Sequence, residues 1–197
     1  MEGIWSIILA AGESKRMGFP KMLLQFNGKT MIENVIDNVA ESHTNSILVV
    51  LGAWREDLIE LVGKYDVKHC YNEKYREGML SSVQCGFKNL PADTEAVLVF
   101  QGDQPFISPS VINGVINAYR SSDRGIIIPV CKGKRGHPIL LDGKYRDEID
   151  NLDGNEGLRS IASIHPDDVL EVEFEDSGIL RDFDTYDDYT REFNQIK

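Results

Sequence analysis

The chain has 197 residues, 42% of them hydrophobic and 27% charged, and its formal net charge is −11 at pH 7, so it suits one α/β domain spanning residues 1–197. An acidic chain has no general basic field to attract polyanions, which argues against nucleic acid or an anionic membrane as partner. No apolar run is long enough to span a membrane and no cleavable leader is recognised, so we expect a cytoplasmic protein. The three cysteines are widely spaced and form no disulfide or zinc pattern, so we expect free thiols.

Strand-like apolar runs alternate with amphipathic helical patterns, which is typical of βαβ units and a largely parallel sheet. The predicted strands are Ile4–Ala10, Ser46–Gly52, Val67–Tyr71, Ala96–Gln101, Gly125–Val130 and Val169–Phe174. The predicted helices are Met31–Ser42, Arg55–Lys64, Met79–Asn89, Pro109–Ser121, Tyr145–Asn151, Gly157–Ser163 and Tyr186–Gln195. Pro138-Ile-Leu-Leu breaks the alternation, so a small antiparallel insertion is expected between Val130 and Leu141.

The first predicted strand runs straight into a glycine-rich, cationic loop that ends at Lys21. Small residues let the backbone turn sharply and direct N–H groups at an anion, while Lys15, Arg16 and Lys21 add positive charge. An ordinary strand-to-helix turn with solvated charges is the alternative. Neither the P-loop nor the dinucleotide fingerprint is present. The loop therefore predicts a phosphate site of another kind.

The pattern L-A-A-G-x-S-x-R-M-G-x-x-K, from Leu9 to Lys21, resembles the signature loop of nucleotidyltransferases that activate a phosphorylated acceptor. A later segment, Arg135-Gly-His-Pro-Ile-Leu, resembles the R-G-H-P-[VI]-L segment of the molybdenum cofactor cytidylyltransferases, in the MobA-like NTP transferase family. The resemblance implies a single three-layer α/β/α, Rossmann-like nucleotidyltransferase domain. It also implies that Arg16 and Lys21 neutralise the triphosphate and that four residues of the strand end bind the nucleotide: Leu9, Ala10, Ala11 and Gly12.

A buried strand in Val97-Leu-Val-Phe-Gln-Gly-Asp-Gln-Pro places Asp103 at its carboxyl end, where open α/β sheets bind ligands. This carboxylate can hold Mg²⁺ together with substrate phosphates; a capping aspartate in a tight turn is the alternative. Family members carry G-D-Q/M-P here, which favours catalytic metal binding by Asp103, with Mn²⁺ as a second candidate metal. The acidic segment after Arg181 resembles the family's D-I-D-T-P-E-D, which implies Asp184 as the second ligand, with Asp182, Asp187 and Asp188 as alternatives.

The segment Gly78-Met-Leu-Ser-Ser-Val-Gln-Cys-Gly follows a predicted strand, opens a helix and resembles the family's G-M-x-x-S-[LV]-x-x-G element. Ser81 and Ser82 are candidate partners of the base or ribose, and Gly78 permits close backbone approach. A serine-rich helix start is the alternative reading.

Arg135 and His137 stand in a cationic glycine loop that suits an anionic second substrate, although a lone histidine is more often structural. Further on, Leu152-Asp-Gly-Asn-Glu-Gly-Leu-Arg resembles the family's L-x-G-D-x-G-A-R, with Asn155 and Leu158 departing from it. These residues are the predicted acceptor-binding region.

The resemblance implies Mg²⁺-dependent transfer of CMP from CTP to the terminal phosphate of the molybdopterin cofactor, with a molybdoenzyme of the xanthine dehydrogenase class as partner. In-line attack at the α-phosphorus needs positioning and charge stabilisation rather than a protein nucleophile. Ala11 stands where guanylyl-transferring relatives carry glycine, which favours CTP. Two alternatives stay open: a transferase of the same fold acting on a sugar or alditol phosphate, and a non-catalytic protein that delivers the cofactor.

Overall fold

A computed structural model describes residues 3–154, 157–183 and 189–190. Its strands, in chain order, are β1 (Ile4–Ala10), β2 (Gln25–Phe26), β3 (Lys29–Thr30), β4 (Ser46–Leu51), β5 (Lys68–Tyr71), β6 (Ala96–Gln101), β7 (Ile126–Cys131), β8 (Lys134–Arg135), β9 (Ile139–Asp142) and β10 (Val169–Glu173). The helices are α1 (Met31–Ala40), α2 (Arg55–Val62), α3 (Met79–Lys88), α4 (Pro109–Arg120), α5 (Arg146–Asn151) and α6 (Arg159–Ile164).

Eight strands form a mixed, mostly parallel sheet in the order β10-β7-β9-β6-β1-β4-β5, with β8 paired to β7. β1 is parallel to both β4 and β6, β4 is parallel to β5, and β7 is parallel to β10. β9 is antiparallel to β6 and β7, and β8 is antiparallel to β7. The predicted parallel sheet and its antiparallel insertion are both confirmed. β2 and β3 form a separate hairpin.

Helices cover both faces of the sheet, and each face has its own core. α1, α2 and α4 pack on one face, where Ile8, Ile36 and Ile112 belong to the same buried cluster. α3, α5 and α6 pack on the other face, with Ile7 and Phe87 in the second cluster. All seven residues of β1 are buried, as expected for a strand covered on both sides. The three-layer α/β/α fold is therefore confirmed.

The predicted helices agree with the structure more closely at their first residues than at their last residues. Ser108 caps α4 by accepting from the Val111 N–H at 3.4 Å, and Pro109 takes the first helical position as predicted. Thr30 caps α1 in a capping box with Glu33. Most of the predicted helices extend one or two residues too far.

The C-terminal prediction is largely outside the described part of the chain. Of the predicted helix Tyr186–Gln195, only Tyr189 and Thr190 belong to the described residues. Within the described residues, no helix combines the length and apolar character needed to cross a membrane.

Candidate active site

A cleft of about 250 Å³ opens at the carboxyl ends of β1 and β6, and we call it the β1–β6 cleft. It is the edge at which open α/β sheets bind ligands. Its walls come from the end of β1, the loop after β1, the end of β6 and the start of α3: Leu9, Ala11, Gly12, Lys21, Met22, Tyr75, Gly78, Met79, Ser82, Gln101 and Asp103. The predicted site residues from three separate segments therefore meet in one place.

The loop after β1 is folded around Ser14. The Ser14 carbonyl accepts from the N–H groups of Met17 and Gly18 at 2.9 and 3.0 Å, and its Oγ accepts from the Lys21 N–H at 3.3 Å. The loop lines a space of about 360 Å³. Across the described ranges, the backbone N–H groups of residues 12–15 have no hydrogen-bond acceptor. Consecutive N–H groups left available in a glycine-containing loop form an anion-binding concavity.

Carboxylate partners lie beside the predicted loop cations Lys15 and Lys21. Lys15 Nζ lies 2.8 Å from Glu13 Oε2, and Arg76 Nε lies 3.8 Å from the other oxygen of the same carboxylate. Arg16 is exposed and lines the loop space. Lys21 pairs with Asp103 instead of standing alone, so the positive charge of the loop is partly compensated before any phosphate binds.

The Lys21–Asp103 ion pair is the charged centre of the β1–β6 cleft. Lys21 Nζ donates to Asp103 Oδ2, and it lies 3.4 Å from the carbonyl oxygen of Phe183. The side chains of Lys21 and Asp103 are 18% and 6% exposed. A Cβ at Gly102 would lie 3.0 Å from the Leu9 carbonyl oxygen, so glycine permits the close approach of β6 to β1 that brings the pair together.

Asp103 has the donor chemistry for a hard divalent cation, because Mg²⁺ and Mn²⁺ favour carboxylate and phosphate oxygens. In the described part of the chain, no group of three or more His, Cys, Asp or Glu side chains gathers into a metal site. One protein carboxylate plus substrate phosphates fits the usual Mg²⁺ pattern. Asp184, the predicted second ligand, lies outside the described residues, as do Asp187 and Asp188; Asp182 is described and exposed.

The start of α3 distinguishes the two predicted serines. Ser82 is buried and lines the β1–β6 cleft, whereas the Ser81 hydroxyl bonds to the Gly78 carbonyl at 2.8 Å and is used within the loop. Asn72, which the sequence analysis missed, donates to both hydroxyl groups at 2.9 and 3.0 Å. Gly78 has φ = 105° and faces open space, so glycine is required by its backbone conformation.

The predicted strand-end residues divide between the two faces of the sheet. Leu9, Ala11 and Gly12 line the β1–β6 cleft. The Ala10 side chain packs in the core on the opposite face, because side chains alternate along a strand. The prediction that Ala10 lines the nucleotide site is therefore corrected, because its side chain belongs to the core.

A second pocket of about 260 Å³ shares Leu9, Met79 and Gln101 with the β1–β6 cleft. We call it the β9 pocket; the rest of its wall is Val83, Val99, His137, Ile139, Gly157, Leu158 and Arg159. Gln101 lies between the two spaces, with its Nε2 3.3 Å from His137 Nε2. Asn155 lies outside the described residues.

His137 is a neutral member of the β9 pocket. Burial, followed by the charge of the Arg159 guanidinium, lowers the pKa of His137 to about 4, although Asp103 acts in the opposite direction. A neutral imidazole can hydrogen-bond a ligand but supplies no positive charge for an anionic substrate. The cationic character expected around His137 must therefore come from an arginine.

Arg159, not Arg135, is the arginine placed to supply that charge. Arg135 is exposed on β8 and borders a small adjoining cavity, but its Nε donates to Glu171 at 2.6 Å. The Arg159 guanidinium lines the β9 pocket and has no ion-pair or hydrogen-bond partner among residues 3–154, 157–183 and 189–190. Arg159 ends the Leu152 segment of the predicted acceptor-binding region, but the sequence pattern did not single it out.

The lowered pKa of His137 predicts acid sensitivity of the fold. As the pH falls below the ordinary value of 6.5, the unfolded chain binds the proton before the folded chain does, so stability present at neutral pH is lost toward pH 4. The loss reaches about 3 kcal/mol near the folded pKa. We expect His137→Gln to flatten the pH dependence of the unfolding free energy over this range, measured by urea denaturation. Equal slopes for His137→Gln and the unmodified chain would contradict the prediction.

Comparisons with known proteins agree with this geometry. The family described as the MobA-like NTP transferase domain matches residues 6–169. The molybdenum cofactor cytidylyltransferase of Escherichia coli K12 is 29% identical, over 96% of this chain and 95% of its own. The bifunctional protein GlmU of Thermosipho africanus is 31% identical over 81% of this chain, but the match spans only 35% of GlmU.

A similar fold occurs in Rv0371c from Mycobacterium tuberculosis H37Rv, with a TM-score of 0.86, 22% identity and coverage of 97% of each chain. A structure of Rv0371c in complex with manganese has a TM-score of 0.81 and 21% identity, covering 95% of this chain and 96% of Rv0371c. At this identity the likeness establishes the fold of the chain.

Proposed function

The chain belongs to the MobA-like NTP transferase family and is a nucleotidyltransferase, and we propose that it transfers CMP from CTP to the terminal phosphate of the molybdopterin cofactor, releasing pyrophosphate. The main support for this proposal is that the β1–β6 cleft and the β9 pocket, which have similar volumes, adjoin at Gln101 beside the Lys21–Asp103 pair. One space suits a nucleotide and the other a second substrate. The near full-length similarity to the E. coli cytidylyltransferase supports this acceptor. We also propose that residues 1–197 form a single domain and that the partner protein is a molybdoenzyme of the xanthine dehydrogenase class.

The triphosphate is proposed to bind in the loop after β1. Its oxygens would accept from the available N–H groups of residues 12–15 and from the side chains of Arg16 and Lys21. The nucleoside would occupy the β1–β6 cleft, with Ser82 and the backbone at Gly78 beside it. This arrangement keeps the α-phosphate near Lys21.

Lys21 and Asp103 are the residues proposed to stabilise the negative charge that develops around the α-phosphorus. Lys21 and Asp103 line the same cleft, so Lys21 Nζ can donate to a phosphate oxygen bound there as well as to Asp103. Mg²⁺ or Mn²⁺ held by Asp103, with Asp184 as the proposed second ligand, would neutralise phosphate charge and orient the leaving pyrophosphate. The acceptor in the β9 pocket would be oriented by Gln101 and Arg159 for in-line attack. No protein nucleophile is needed.

Pyrophosphate release tests the proposal directly. Purified protein is assayed with CTP, GTP, ATP and UTP, each with molybdopterin cofactor, a sugar phosphate or an alditol phosphate, and with Mg²⁺ or Mn²⁺. We expect the highest kcat/KM with CTP and molybdopterin cofactor. A preference for a sugar or alditol phosphate would replace the acceptor, and cofactor binding without pyrophosphate release would favour a delivery protein.

Arg159 is predicted to determine acceptor affinity. Loss of a charge-assisted hydrogen bond costs about 1.5–3 kcal/mol, so Arg159→Gln should raise the KM for the acceptor by about ten- to a hundred-fold. The KM for CTP should stay within about twofold. Arg135→Gln is the matched control, because its guanidinium already has Glu171 as partner. A larger effect at Arg135 than at Arg159 would reverse the assignment.

Ala11 is predicted to contribute to nucleotide choice. Its methyl group lies at the cleft wall against Gly52, where a Cβ on Gly52 would be 2.6 Å away, so it has little freedom to move. One methyl group in a pocket shifts selectivity by about 1–3 kcal/mol, which is about ten- to two-hundred-fold. We expect CTP to be preferred over GTP in the unmodified chain and Ala11→Gly to weaken this preference, as measured by kcat/KM. Equal kcat/KM for CTP and GTP in the unmodified chain would remove the cytidylyl part of the proposal.

A further inference from the structure

Two of the three cysteines are neighbours outside both pockets. Cys70 lies in β5 and Cys85 in α3, and their Sγ atoms are 3.7 Å apart. Both residues are partly exposed free thiols, whereas Cys131 is buried. The proposed nucleotidyl transfer uses neither Cys70 nor Cys85. The pair therefore has no role in the site described above.

The two thiols are chemically unequal. Either sulfur can donate in the Cys70–Cys85 hydrogen bond. With Cys70 as the donor, this bond and the charge of Lys88 lower the pKa of Cys85 to about 7, against the effect of burial. The same hydrogen bond, with burial, raises the pKa of Cys70 well above its ordinary value. Asn89 Nδ2 lies 3.9 Å from Cys85 Sγ as a further donor. Such a pair consists of an attacking thiolate and a neighbouring resolving thiol.

We propose that Cys70 and Cys85 are a reversible modification site that forms a disulfide by exchange with a low-molecular-weight disulfide such as glutathione disulfide. In the first step the Cys85 thiolate attacks one sulfur of glutathione disulfide, forming a protein–glutathione disulfide and releasing one glutathione thiolate. In the second step the Cys70 thiol gives its proton to the glutathione thiolate released first, attacks Cys85 Sγ and releases the second glutathione as a thiolate, which takes a proton from water. Two protein thiols and one glutathione disulfide become one protein disulfide and two glutathione molecules.

The geometry favours the second step. A disulfide bond is about 2.05 Å long and the two sulfurs are 3.7 Å apart, so they need to approach each other by about 1.7 Å. The strand and helix that carry them are already packed together, since Asn72, directly after β5, holds Ser81 and Ser82 of α3. Resolution within the protein should therefore be faster than release by a second glutathione.

Intact-mass analysis of the full chain tests the proposal. The reduced protein is treated with glutathione disulfide, quenched by alkylation and weighed under denaturing conditions. We expect the unmodified chain to lose two hydrogens and to retain no glutathione, with peptide mapping linking Cys70 to Cys85. Cys70→Ser should stop at a stable glutathione adduct on Cys85, and Cys85→Ser should react at least tenfold more slowly. Cys131→Ser is the matched control and should behave like the unmodified chain.

Each contrary result would overturn the proposal. Persistent glutathione adducts in the unmodified chain would show that Cys70 does not resolve them. Equal reaction rates for Cys85→Ser and the unmodified chain would show that Cys85 is not the attacking thiol. Participation of Cys131 or no reaction at all would reject the site. Because the readout is mass, the result is independent of whether the proposed nucleotidyl transfer is found.

Discussion

Replacing Lys21 by alanine is expected to lower the kcat of nucleotidyl transfer by about a hundred- to a thousand-fold, because it removes a preorganised donor from the site where charge develops. Lys21 Nζ donates to Asp103 and lies near the Phe183 carbonyl, so it is held in the cleft before substrate arrives. Turnover with saturating CTP and Mg²⁺ is the measurement. Activity within a few-fold of the unmodified chain would show that the phosphate site is elsewhere.

The Lys21 substitution should also lower stability, which a lysine facing only phosphate would not do. The Asp103 side chain is 6% exposed beside Lys21, and the substitution removes its ion-pair partner. Breaking a buried ion pair by removing one partner costs about 3–5 kcal/mol. Urea denaturation measures this cost, and Lys29→Ala is the matched control. Lys29 Nζ contacts Asp37 Oδ2 at 2.6 Å on an exposed surface, so its loss should change neither activity nor stability measurably.

Replacing Asp103 by asparagine is expected to reduce metal-dependent activity by about three orders of magnitude, since an amide is a poorer ligand for a hard cation and removes one charge from the site. Stability should change little, because the asparagine Oδ1 can still accept from Lys21 Nζ. Titration of activity with Mg²⁺ and with Mn²⁺ measures the effect, and Asp37→Asn is the control. An unchanged titration curve would move the metal assignment away from Asp103, and Asp184→Asn would then be tested.

Together, the two substitutions separate charge stabilisation from metal binding. Lys21→Ala should lower kcat at every metal concentration, whereas Asp103→Asn should also shift the metal concentration that gives half-maximal activity. The double variant should be less impaired than the product of the two single effects, because Lys21 and Asp103 contact each other directly.

The buried strands were predictable because their residues are apolar on both faces. β1 and β6 match the predicted ranges, and both consist mainly of fully buried side chains. The β2–β3 hairpin was missed because each strand has two residues, too few to show a pattern. The loop after β1 and Asp103 could be located for a related reason, since they directly follow the two strands that are most clearly apolar in the sequence.

The β9 pocket was predicted less completely because its chemistry depends on contacts between distant segments. Arg135 and Arg159 have the same side chain, and only the approach of Glu171 from β10 distinguishes the paired arginine from the available one. Ser81 and Ser82 are neighbours in the chain, but the helix points one toward the loop and the other into the β1–β6 cleft. Gln101 ends a buried strand and carries no pattern that marks it as a link between pockets.

The reversed direction of β9 has a consequence for how acceptor preference can be changed. Because β9 is antiparallel to β6, with Ile139 opposite Val99, it begins at the edge where β6 ends, which places His137 beside Gln101. The wall of the proposed acceptor site is therefore partly built by the start of an antiparallel strand, whereas the wall of the proposed nucleotide site is built at the ends of parallel strands. The segment over residues 131–142 contains β8 and β9. Exchanging it between homologues should transfer acceptor preference while leaving nucleotide preference with the recipient, provided that Gly136 is kept against the Ile179 carbonyl.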